Sequence, residues 1–345
     1  MQIVICIPLI PFMTGGAELL VETLRKELVK RKHNVEVISI PFKWYPPFKL
    51  IDNALSWKLT DLSDSNGKKI DLVISTKFPA YVLEHPNHVT WLFHQHRPAY
   101  DLWDYPNNDL RSFKEGDHVR KKIIGMDNKA LKKIKKICTL SNTVSDRLLK
   151  YNGIKGESLY APVPNEEKFH NKEYGDYVLF PSRISPLKRQ DLLVESLKYV
   201  KQNVKCKIIG FEAHQKWLEE KLESKNYKNK IELITNVTND ELIDLYSKAL
   251  AVVFIPYDED YGFVTLEAFL SKKAVLTASD SGGPLEFVKN EENGYIVEPE
   301  PKQIAKALDK FYEDVERTKK MGENGFKSYK KLNLNWDLVV EKLIK

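Results

Sequence analysis

Short apolar runs alternate with amphipathic segments along the whole chain. The runs are continuous, which is typical of strands in a parallel sheet covered on both faces, and the segments between them fit helices. The pattern predicts strands near residues 3–7, 35–39, 72–75, 89–93, 137–139, 158–160, 177–180, 206–209, 231–234, 251–255, 275–278 and 295–297. It predicts helices near residues 17–30, 129–135, 143–151, 190–200, 240–250, 263–271, 284–288 and 302–313. Two such halves indicate an α/β protein with two doubly wound, Rossmann-like domains.

The boundary between the halves is a polar segment at residues 161–172, which contains two prolines and interrupts the alternation. We therefore expect a first domain at residues 1–163 and a second at residues 173–331. Residues 332–345, which include Trp336, predict a terminal helix.

Composition makes the chain an ordinary globular protein, because 42% of its 345 residues are hydrophobic and 30% are charged. No apolar run approaches the length of a membrane span, and the first ten residues predict a strand rather than a leader. Cys6, Cys138 and Cys206 each lie in an apolar run, which predicts buried, reduced thiols. We therefore expect a cytoplasmic protein, with peripheral attachment to the inner membrane surface as an open alternative.

The net charge of +6 is concentrated in residues 111–136, where ten Lys and Arg stand against three Asp and Glu, a net of +7. Lys129, Lys132, Lys133 and Lys136 are spaced to share one helical face. This face is either simply solvated or docks on an anionic membrane surface or a lipid-phosphate acceptor. No nucleic-acid partner is expected, because no aromatic-rich basic groove accompanies the charges.

Open parallel sheets bind ligands beyond the carboxyl ends of their strands, so the loops there are the candidate sites. The loop after the first strand contains Gly15 and Gly16, which either approach an anion at a helix N-terminus or form a plain tight turn. Its spacing is not G-x-G-x-x-G, which disfavours a dinucleotide oxidoreductase. The loop after residues 177–180 contains Arg183 and Lys188, which either neutralise a pyrophosphate or are ordinary surface charges.

Two carboxylates follow the strand at residues 251–255. Glu259 lies in the loop, and Glu267 lies eight positions later in a helix. Carboxylates accept hydrogen bonds from paired hydroxyl groups, so the two suit ribose and a hexose. Asp258 and Asp260 also form a D-x-D sequence, which could mark a divalent metal. We expect no metal, because a metal site needs two or three converging oxygen ligands and the sugar reading explains Glu259 without one.

Two further positions carry open alternatives. Glu286 follows Gly282 and Gly283 and either caps its own helix or contacts the ligand of the same loop. His94 opens a segment rich in aromatic residues at the end of a strand, and it is either structural or faces an acceptor.

These motifs, taken in order, resemble glycosyltransferase family 4, the retaining enzymes with a GT-B fold. The resemblance covers nearly the whole chain and rests on Gly15-Gly16-Ala-Glu18, Ser141 to Arg147 leading to Ala161-Pro-Val, Arg183…Lys188, Glu259-x7-Glu267 and Gly282-Gly283-Pro-x-Glu286. It implies two Rossmann-like domains that face each other across a cleft, with the acceptor side in the first, the donor in the second and the terminal helix returning to the first.

The resemblance also implies a role for each residue. Arg183 and Lys188 would bind the donor pyrophosphate, Glu267 the ribose and Glu259 the transferred sugar. The implied catalytic set is His94, Glu259, Arg183 and Lys188, and the rest of the implied donor site is Gly15, Gly16, Tyr261, Gly262, Phe263, Gly283 and Glu286. Asp260-Tyr261 departs from the Gly-Phe of many members, so the sugar is left open.

The implied reaction is a retaining transfer of a hexosyl group from a nucleotide-diphosphate sugar to a glycan, lipid-linked or small-molecule acceptor, without metal or other cofactor. Two other classes stay open on the sequence. One is a nucleotide-sugar isomerase or epimerase of the same fold, and the other is a non-catalytic protein that binds a membrane surface.

Overall fold

Strands and helices alternate through both halves of the computed structural model, which describes residues 1–13, 15–210, 215–224, 227 and 229–345. The chain forms two compact units, Met1–Pro164 with Leu334–Lys345, and Asn165–Asn333. Each contains a six-stranded parallel sheet with helices, so the predicted fold class, two doubly wound α/β domains, is confirmed.

The first unit is built on the strand order β2-β1-β5-β6-β7-β8. Its elements are β1 (Gln2–Leu9), α1 (Gly16–Lys30), β2 (Asn34–Pro41), α2 (Lys49–Lys58), the hairpin β3 (Asp64–Ser65) and β4 (Lys68–Lys69), β5 (Leu72–Lys77), β6 (His88–His94), α3 (Asp109–Ser112), α4 (Gly116–Leu131), β7 (Lys136–Thr139), α5 (Asn142–Asn152) and β8 (Glu157–Ser158). Short 3-10 turns lie at Ala80–Val82 and Arg97–Ala99.

The second unit has the strand order β11-β10-β9-β12-β13-β14. Its elements are β9 (Tyr177–Pro181), α6 (Gln190–Ser196), β10 (Lys205–Ile209), α7 (Gln215–Ser224), β11 (Ile231–Ile234), α8 (Asn239–Lys248), β12 (Ala251–Val253), α9 (Phe263–Leu270), β13 (Ala274–Ala278), β14 (Gly294–Val297), α10 (Pro301–Glu313) and α11 (Val315–Leu332). Short 3-10 turns lie at Glu166–Lys168 and Gly283–Glu286.

The last helix, α12 (Trp336–Ile344), packs within the first unit. The Trp336 ring meets the edge of the buried Trp91 ring with their centroids 6.3 Å apart. The Lys136 ammonium donates a hydrogen bond to the carbonyl of Lys342 at 2.7 Å. An aromatic contact and a cap on a carbonyl near the C-terminus thus hold this helix against the sheet.

The predicted helix at residues 129–135 is wrong. Helix α4 runs from Gly116 and ends at Leu131, and Lys136 already begins β7. Lys129, Lys132, Lys133 and Lys136 therefore do not share one helical face. Lysines spaced three and four apart suggest a helix, but Ile134 and Ile137 pack into the core beside the helix end and turn the chain into the sheet.

A buried lysine fastens the segment that leads into β9. The Lys273 side chain is buried, and its ammonium donates to the Asn171 side chain at 2.5 Å and to the Glu173 carbonyl at 2.6 Å. It also lies 4.1 Å from the centre of the Tyr174 ring. Burial lowers the pKa of Lys273 to about 7, against the attraction of Glu173. Residues 171–172, expected as part of a plain linker, are therefore packed on the second unit together with residues 173–174.

The predicted thiols are confirmed as buried and free at Cys6, Cys138 and Cys206. Burial raises the pKa of Cys138 to about 11 and that of Cys206 to about 12. Among the described helices, none combines the length and the apolar character that crossing a bilayer requires.

A chain of polar side chains lies inside the first unit. The Tyr100 hydroxyl donates to Asp127 at 2.7 Å, and Asn152 joins Tyr100 to Gln95. The Asp127 side chain is fully buried, and one of its carboxylate oxygens accepts no hydrogen bond within the described part of the chain. Burial raises the pKa of Asp127 to about 7, although hydrogen bonding by Tyr100 opposes the rise.

We expect Asp127→Asn to stabilise the protein at pH 8 and to lose that advantage near pH 4. The carboxyl pKa is raised above its unfolded value, so the native state binds the extra proton and stability falls as pH rises from about 4 to 7. The gain at pH 8 should be on the order of 2 kcal/mol. Denaturant unfolding at both pH values checks it, and an equal effect at both would contradict the assignment.

Candidate active site

The order of the second sheet reverses between β9 and β12. These strands are neighbours in the sheet although β10 and β11 lie between them along the chain. Ligands of doubly wound sheets bind at such a point, beyond the carboxyl ends of the strands. The loop after β9 holds Arg183 and Lys188, and the loop after β12 holds Glu259. The topology therefore brings together the residues that the sequence analysis singled out in these two loops.

Lys188 and Glu259 form an ion pair with 2.5 Å between the ammonium and a carboxylate oxygen. Their side chains are 14% and 22% exposed, so solvent screens the pair less than a surface pair. The ammonium also lies 5.3 Å from the centre of the Phe254 ring. The two candidates thus neutralise each other.

Backbone hydrogen bonds join three loops at this edge of the sheet. One bond connects the loop after β9 to the loop after β12, and three connect the latter to the loop after β13. These bonds run from the amide of Tyr257 to the carbonyl of Leu187, from Asp258 to Asp280, from Glu259 to Ser281, and from Gly283 to Glu259, at 2.8–2.9 Å. The amide and the carbonyl of Glu259 are both hydrogen-bonded, so the backbone that carries its side chain is fixed in position.

Glycine is required at two positions between these loops, because the two backbones lie too close together for a side chain. A Cβ atom on Gly283 would lie 2.6 Å from the carbonyl oxygen of Tyr261, and one on Gly282 would lie 2.6 Å from that of Glu259. Gly282 also has a φ of +69°, which disfavours any other residue. The glycine pair therefore lets the loop after β13 lie directly on the backbone that carries Glu259.

Arg189 and Gln190, which the sequence analysis assigned no role, brace the loop after β9. The Arg189 guanidinium makes two parallel hydrogen bonds to the Asp280 carboxylate, at 2.7 and 2.6 Å. The buried Gln190 amide donates to the Ser182 hydroxyl and to the carbonyl of Arg183. Paired planar groups of this kind fix geometry as well as charge. In the sequence, this brace was signalled only by the basic side chain of Arg189 next to Lys188 and by the acidic side chain of Asp280 just after β13.

Glu267 lies in the second turn of α9 and is half-buried. Its carboxylate accepts a hydrogen bond from the buried Tyr246 hydroxyl at 2.7 Å. Burial raises the pKa of Glu267 to about 7, and this hydrogen bond opposes the rise. A carboxyl group held near its titration point gains from any ligand that donates hydrogen bonds to its ionised form.

The other candidates of this unit surround the same loops. The Tyr261 ring is buried edge-on against Phe263 and Phe287, with centroids 4.8 and 5.5 Å away. Gly262, with a φ of +84°, is the N-cap residue just before α9. Glu286 ends the 3-10 turn Gly283–Glu286, which stands where a helix at residues 284–288 was expected. Arg183 is exposed on the loop after β9.

In the first unit, the loop after β1 ends in a capped helix. Gly15 is extended, and its amide donates to the Glu18 carboxylate at 2.9 Å, while Gly16 begins α1. Glu18 also pairs with Lys77, at the end of β5, at 2.9 Å. Partial burial opposes ionisation of Glu18, but the Lys77 charge and the hydrogen bonds outweigh it and hold the carboxyl pKa below its usual range. The glycine pair thus stands at a helix start whose first amide is already bonded.

His94 is the last residue of β6 and is half-buried. Its Nδ1 lies 2.6 Å from the carbonyl oxygen of Gln95. A carbonyl can only accept, so Nδ1 carries the proton and Nε2 is the acceptor nitrogen of the neutral ring. The ring is therefore held in one tautomer by a backbone contact.

Within the described ranges, no three His, Cys, Asp or Glu side chains converge in a way that could hold a metal ion. Asp258, with a φ of +44°, and Asp260 lie in the loop after β12 beside Glu259.

Comparison with known proteins assigns this site to a class. Residues 164–328 match the family described as glycosyl transferases group 1. Solved structures with the same fold include sucrose-phosphate synthase from Thermosynechococcus elongatus, with a TM-score of 0.79 and 15% identity over 99% of this chain and 97% of that chain. Another is Anabaena Alr3699/HepE in complex with UDP and glucose, with a TM-score of 0.70 and 16% identity over 99% of each chain. Residues 164–328 make up nearly all of the second unit, so the family match falls on that unit, and the fold is GT-B.

Curated relatives cover part of the chain. An uncharacterized glycosyltransferase of Methanocaldococcus jannaschii is 29% identical over 197 residues, 54% of this chain and 50% of the relative. Alpha-1,3/1,6-mannosyltransferase ALG2 of Dictyostelium discoideum is 29% identical over 136 residues, 38% of this chain and 32% of the relative. The chain thus spans half or less of the length of these two relatives.

We expect Gly283→Ala to destabilise the second unit by about 2 kcal/mol, because the added methyl group must displace the Tyr261 backbone. Thermal and denaturant unfolding of the full chain measure this loss. Gly125→Ala is the matched control, since a Cβ atom there meets nothing within 4 Å. Equal stability of the two variants would show that the loop can shift without cost.

Proposed function

We propose that this protein is a retaining glycosyltransferase of family 4 that transfers a hexosyl group from a nucleotide-diphosphate sugar. The observation that carries the proposal is the meeting of Lys188, Glu259 and the loop of Gly283 at the reversal point of the second sheet. The family match of residues 164–328 and the mannosyltransferase among the relatives support it.

The donor is proposed to bind to the second unit. Arg183 and Lys188 neutralise the diphosphate, Glu267 accepts hydrogen bonds from the ribose hydroxyls, and Glu259 accepts them from the sugar. Gly262, Phe263 and the backbone of Tyr261, Gly283 and Glu286 complete the site. Binding exchanges the Lys188–Glu259 pair for contacts with the ligand, so each charge keeps a partner.

The proposed reaction retains the configuration at the anomeric carbon. An acceptor hydroxyl oxygen attacks that carbon from the side of the leaving diphosphate, while the bond from carbon to phosphate oxygen breaks. The departing phosphate takes the hydroxyl proton. Arg183 and Lys188 stabilise the negative charge that develops on the diphosphate, which is the task of fixed cations in such a step.

His94 is proposed to face the acceptor in the first unit. Because its Nδ1 donates to the Gln95 carbonyl, its Nε2 can accept a hydrogen bond from a hydroxyl group. Gly15 and Gly16 are proposed to approach the phosphates at the start of α1. The acceptor is a glycan, a lipid-linked sugar or a small molecule.

We expect Glu267→Gln to weaken binding of the donor by about tenfold or more, because the ribose loses a charged hydrogen-bond acceptor. Donor affinity of the natural protein should fall as pH drops from 8 to 6, since the ionised carboxylate binds and its pKa is about 7. The variant should lose this pH dependence. Calorimetric titration at three pH values measures both effects.

Glu292→Gln is the matched control, because Glu292 is exposed in the same unit and, among the described residues, its carboxylate pairs with Lys289 alone. A thermal-shift screen with GDP, UDP and ADP sugars selects the donor for this titration. Unchanged affinity and pH dependence in Glu267→Gln would remove the ribose role. A protein that isomerises the donor, or that binds it without transfer to any acceptor, would contradict the transferase proposal.

We expect EDTA to leave the rate of transfer unchanged, because Arg183 and Lys188 supply the positive charge that a divalent metal supplies in other transferases. Rates with EDTA, and after addition of Mg²⁺ or Mn²⁺, provide the measurement. Loss of activity in EDTA with recovery on adding metal would instead assign Asp258 and Asp260 to a metal site.

A further inference from the structure

A pocket of about 900 Å³ opens in the first unit, and none of the residues of the candidate active site lines it. It is lined by the end of α2, by residues 82–88 and by the last two turns of α4 with the turn that follows. Residues 82–88 lead into the amino end of β6, and the end of α4 leads into the amino end of β7. His94 and Gly15 follow the carboxyl ends of strands. The pocket therefore lies toward the opposite edge of the sheet from the candidate site of this unit.

The interior of the pocket is apolar. Leu83, Met126, Ala130 and Ile134 contribute to its walls. Its volume lies within the range of about 300–1,000 Å³ that is usual for small-molecule sites. His85, His88 and Asn128 also line the pocket, but apolar groups make up most of its surface, which favours a hydrocarbon chain over a sugar or a nucleotide.

Gly125 is an exposed residue at the mouth of this pocket. It lies inside α4, where a glycine weakens a helix relative to alanine, and a Cβ atom there would meet nothing within 4 Å. Neither a left-handed conformation nor a close backbone contact requires glycine at this position. A larger side chain at residue 125 would project into the pocket. The glycine therefore leaves this volume open, although it lowers the stability of the helix.

The rim is strongly basic. Lys58, Lys129, Lys132 and Lys133 line it together with Glu84. Glu84 pairs with Lys133 at 2.9 Å, and among the described residues Lys129 and Lys132 have no carboxylate within ion-pair distance. The rim therefore has an excess of three positive charges around an apolar interior.

Exposed leucines stand beside the same opening. Leu55, which lines the pocket, is 45% exposed, and Leu59, one helical turn further on, is 83% exposed. Exposed apolar side chains between lysines are the pattern of a surface that lies in the interface of an anionic bilayer. Charge and apolar exposure thus point to the same occupant.

We propose that this pocket binds an acidic membrane phospholipid, with an acyl chain inside and the headgroup phosphate on Lys129 and Lys132. The lipid holds the first unit on a bilayer while the carboxyl edge of its sheet stays clear of the pocket. A lipid-linked acceptor is a poorer occupant, because the pocket and His94 are at opposite edges of the sheet. The proposal does not depend on the proposed transfer reaction.

Binding of the full chain to vesicles tests the proposal. The probes are phosphatidylcholine vesicles with and without phosphatidylglycerol. We expect binding to the anionic vesicles only, and Lys129→Glu with Lys132→Glu should weaken it by about tenfold or more. Lys114→Glu with Lys122→Glu is the matched control, because both lysines belong to the same basic segment but lie outside the pocket. Equal losses in the two pairs would mean that only the overall charge attracts the vesicle.

A second pair of variants tests the pocket itself without changing the charge. Gly125→Phe should fill the cavity and weaken binding by about fivefold or more, because the acyl chain is excluded. Gly125→Ala should bind as the natural protein does, and unfolding curves for both variants establish that α4 is intact. If Gly125→Phe is folded and binds vesicles as tightly as the natural protein, no chain enters the pocket and the proposal is wrong.

Discussion

The adjacency of β9 and β12 is the constraint on which the candidate site depends. Two strands far apart in the chain become neighbours only where a doubly wound sheet changes direction, and the loops that leave them cannot cover one another completely. Here those loops carry Lys188 and Glu259, and their backbones are bonded to each other and to the loop after β13. The charges are therefore arranged by sheet topology first and by side-chain contacts second.

The polar groups that support the site do so indirectly, by bonding to the candidate residues or to the loops that carry them. Arg189 binds Asp280 with two hydrogen bonds, Gln190 braces the loop of Arg183, and Tyr246 donates to Glu267. Arg189 and Tyr246 connect different elements of the unit, and Gln190 braces the loop that precedes its own helix, so the candidate residues are held by ordered neighbours. The candidate site is thus assembled from helix starts and strand ends rather than from one long loop.

Much of the fold could be predicted because the apolar runs are continuous and evenly spaced. The strands at residues 177–181 and 231–234 agree with expectation to within a residue. Helices α2, α7 and α11 were not expected, because charged or aromatic residues interrupt their apolar faces. The prediction of a helix at residues 129–135 was wrong because lysine spacing does not indicate where Ile134 and Ile137 pack in the core.

Within the candidate site, residue types indicated chemistry, but partners could not be read from spacing. Nothing local to Glu267 predicts Tyr246, which comes from the preceding helix, and nothing near Lys273 predicts that it would be buried with Asn171. The pocket at Gly125 could not be predicted from the sequence either, because a single glycine in a basic helix forms no recognisable motif. Long-range packing decides such features, and it follows from the three-dimensional order of the strands.

The ion pair between Lys188 and Glu259 has a consequence for the choice of ligand. Inorganic phosphate, or a nucleotide without a sugar, can draw Lys188 away but leaves Glu259 half-buried without a counter-charge. A ligand with both an anion and neighbouring hydroxyl groups satisfies the two side chains at once. Under the proposed function, a ligand with only one of these groups would separate the pair without compensation, whereas a complete nucleotide sugar would give both side chains a new partner.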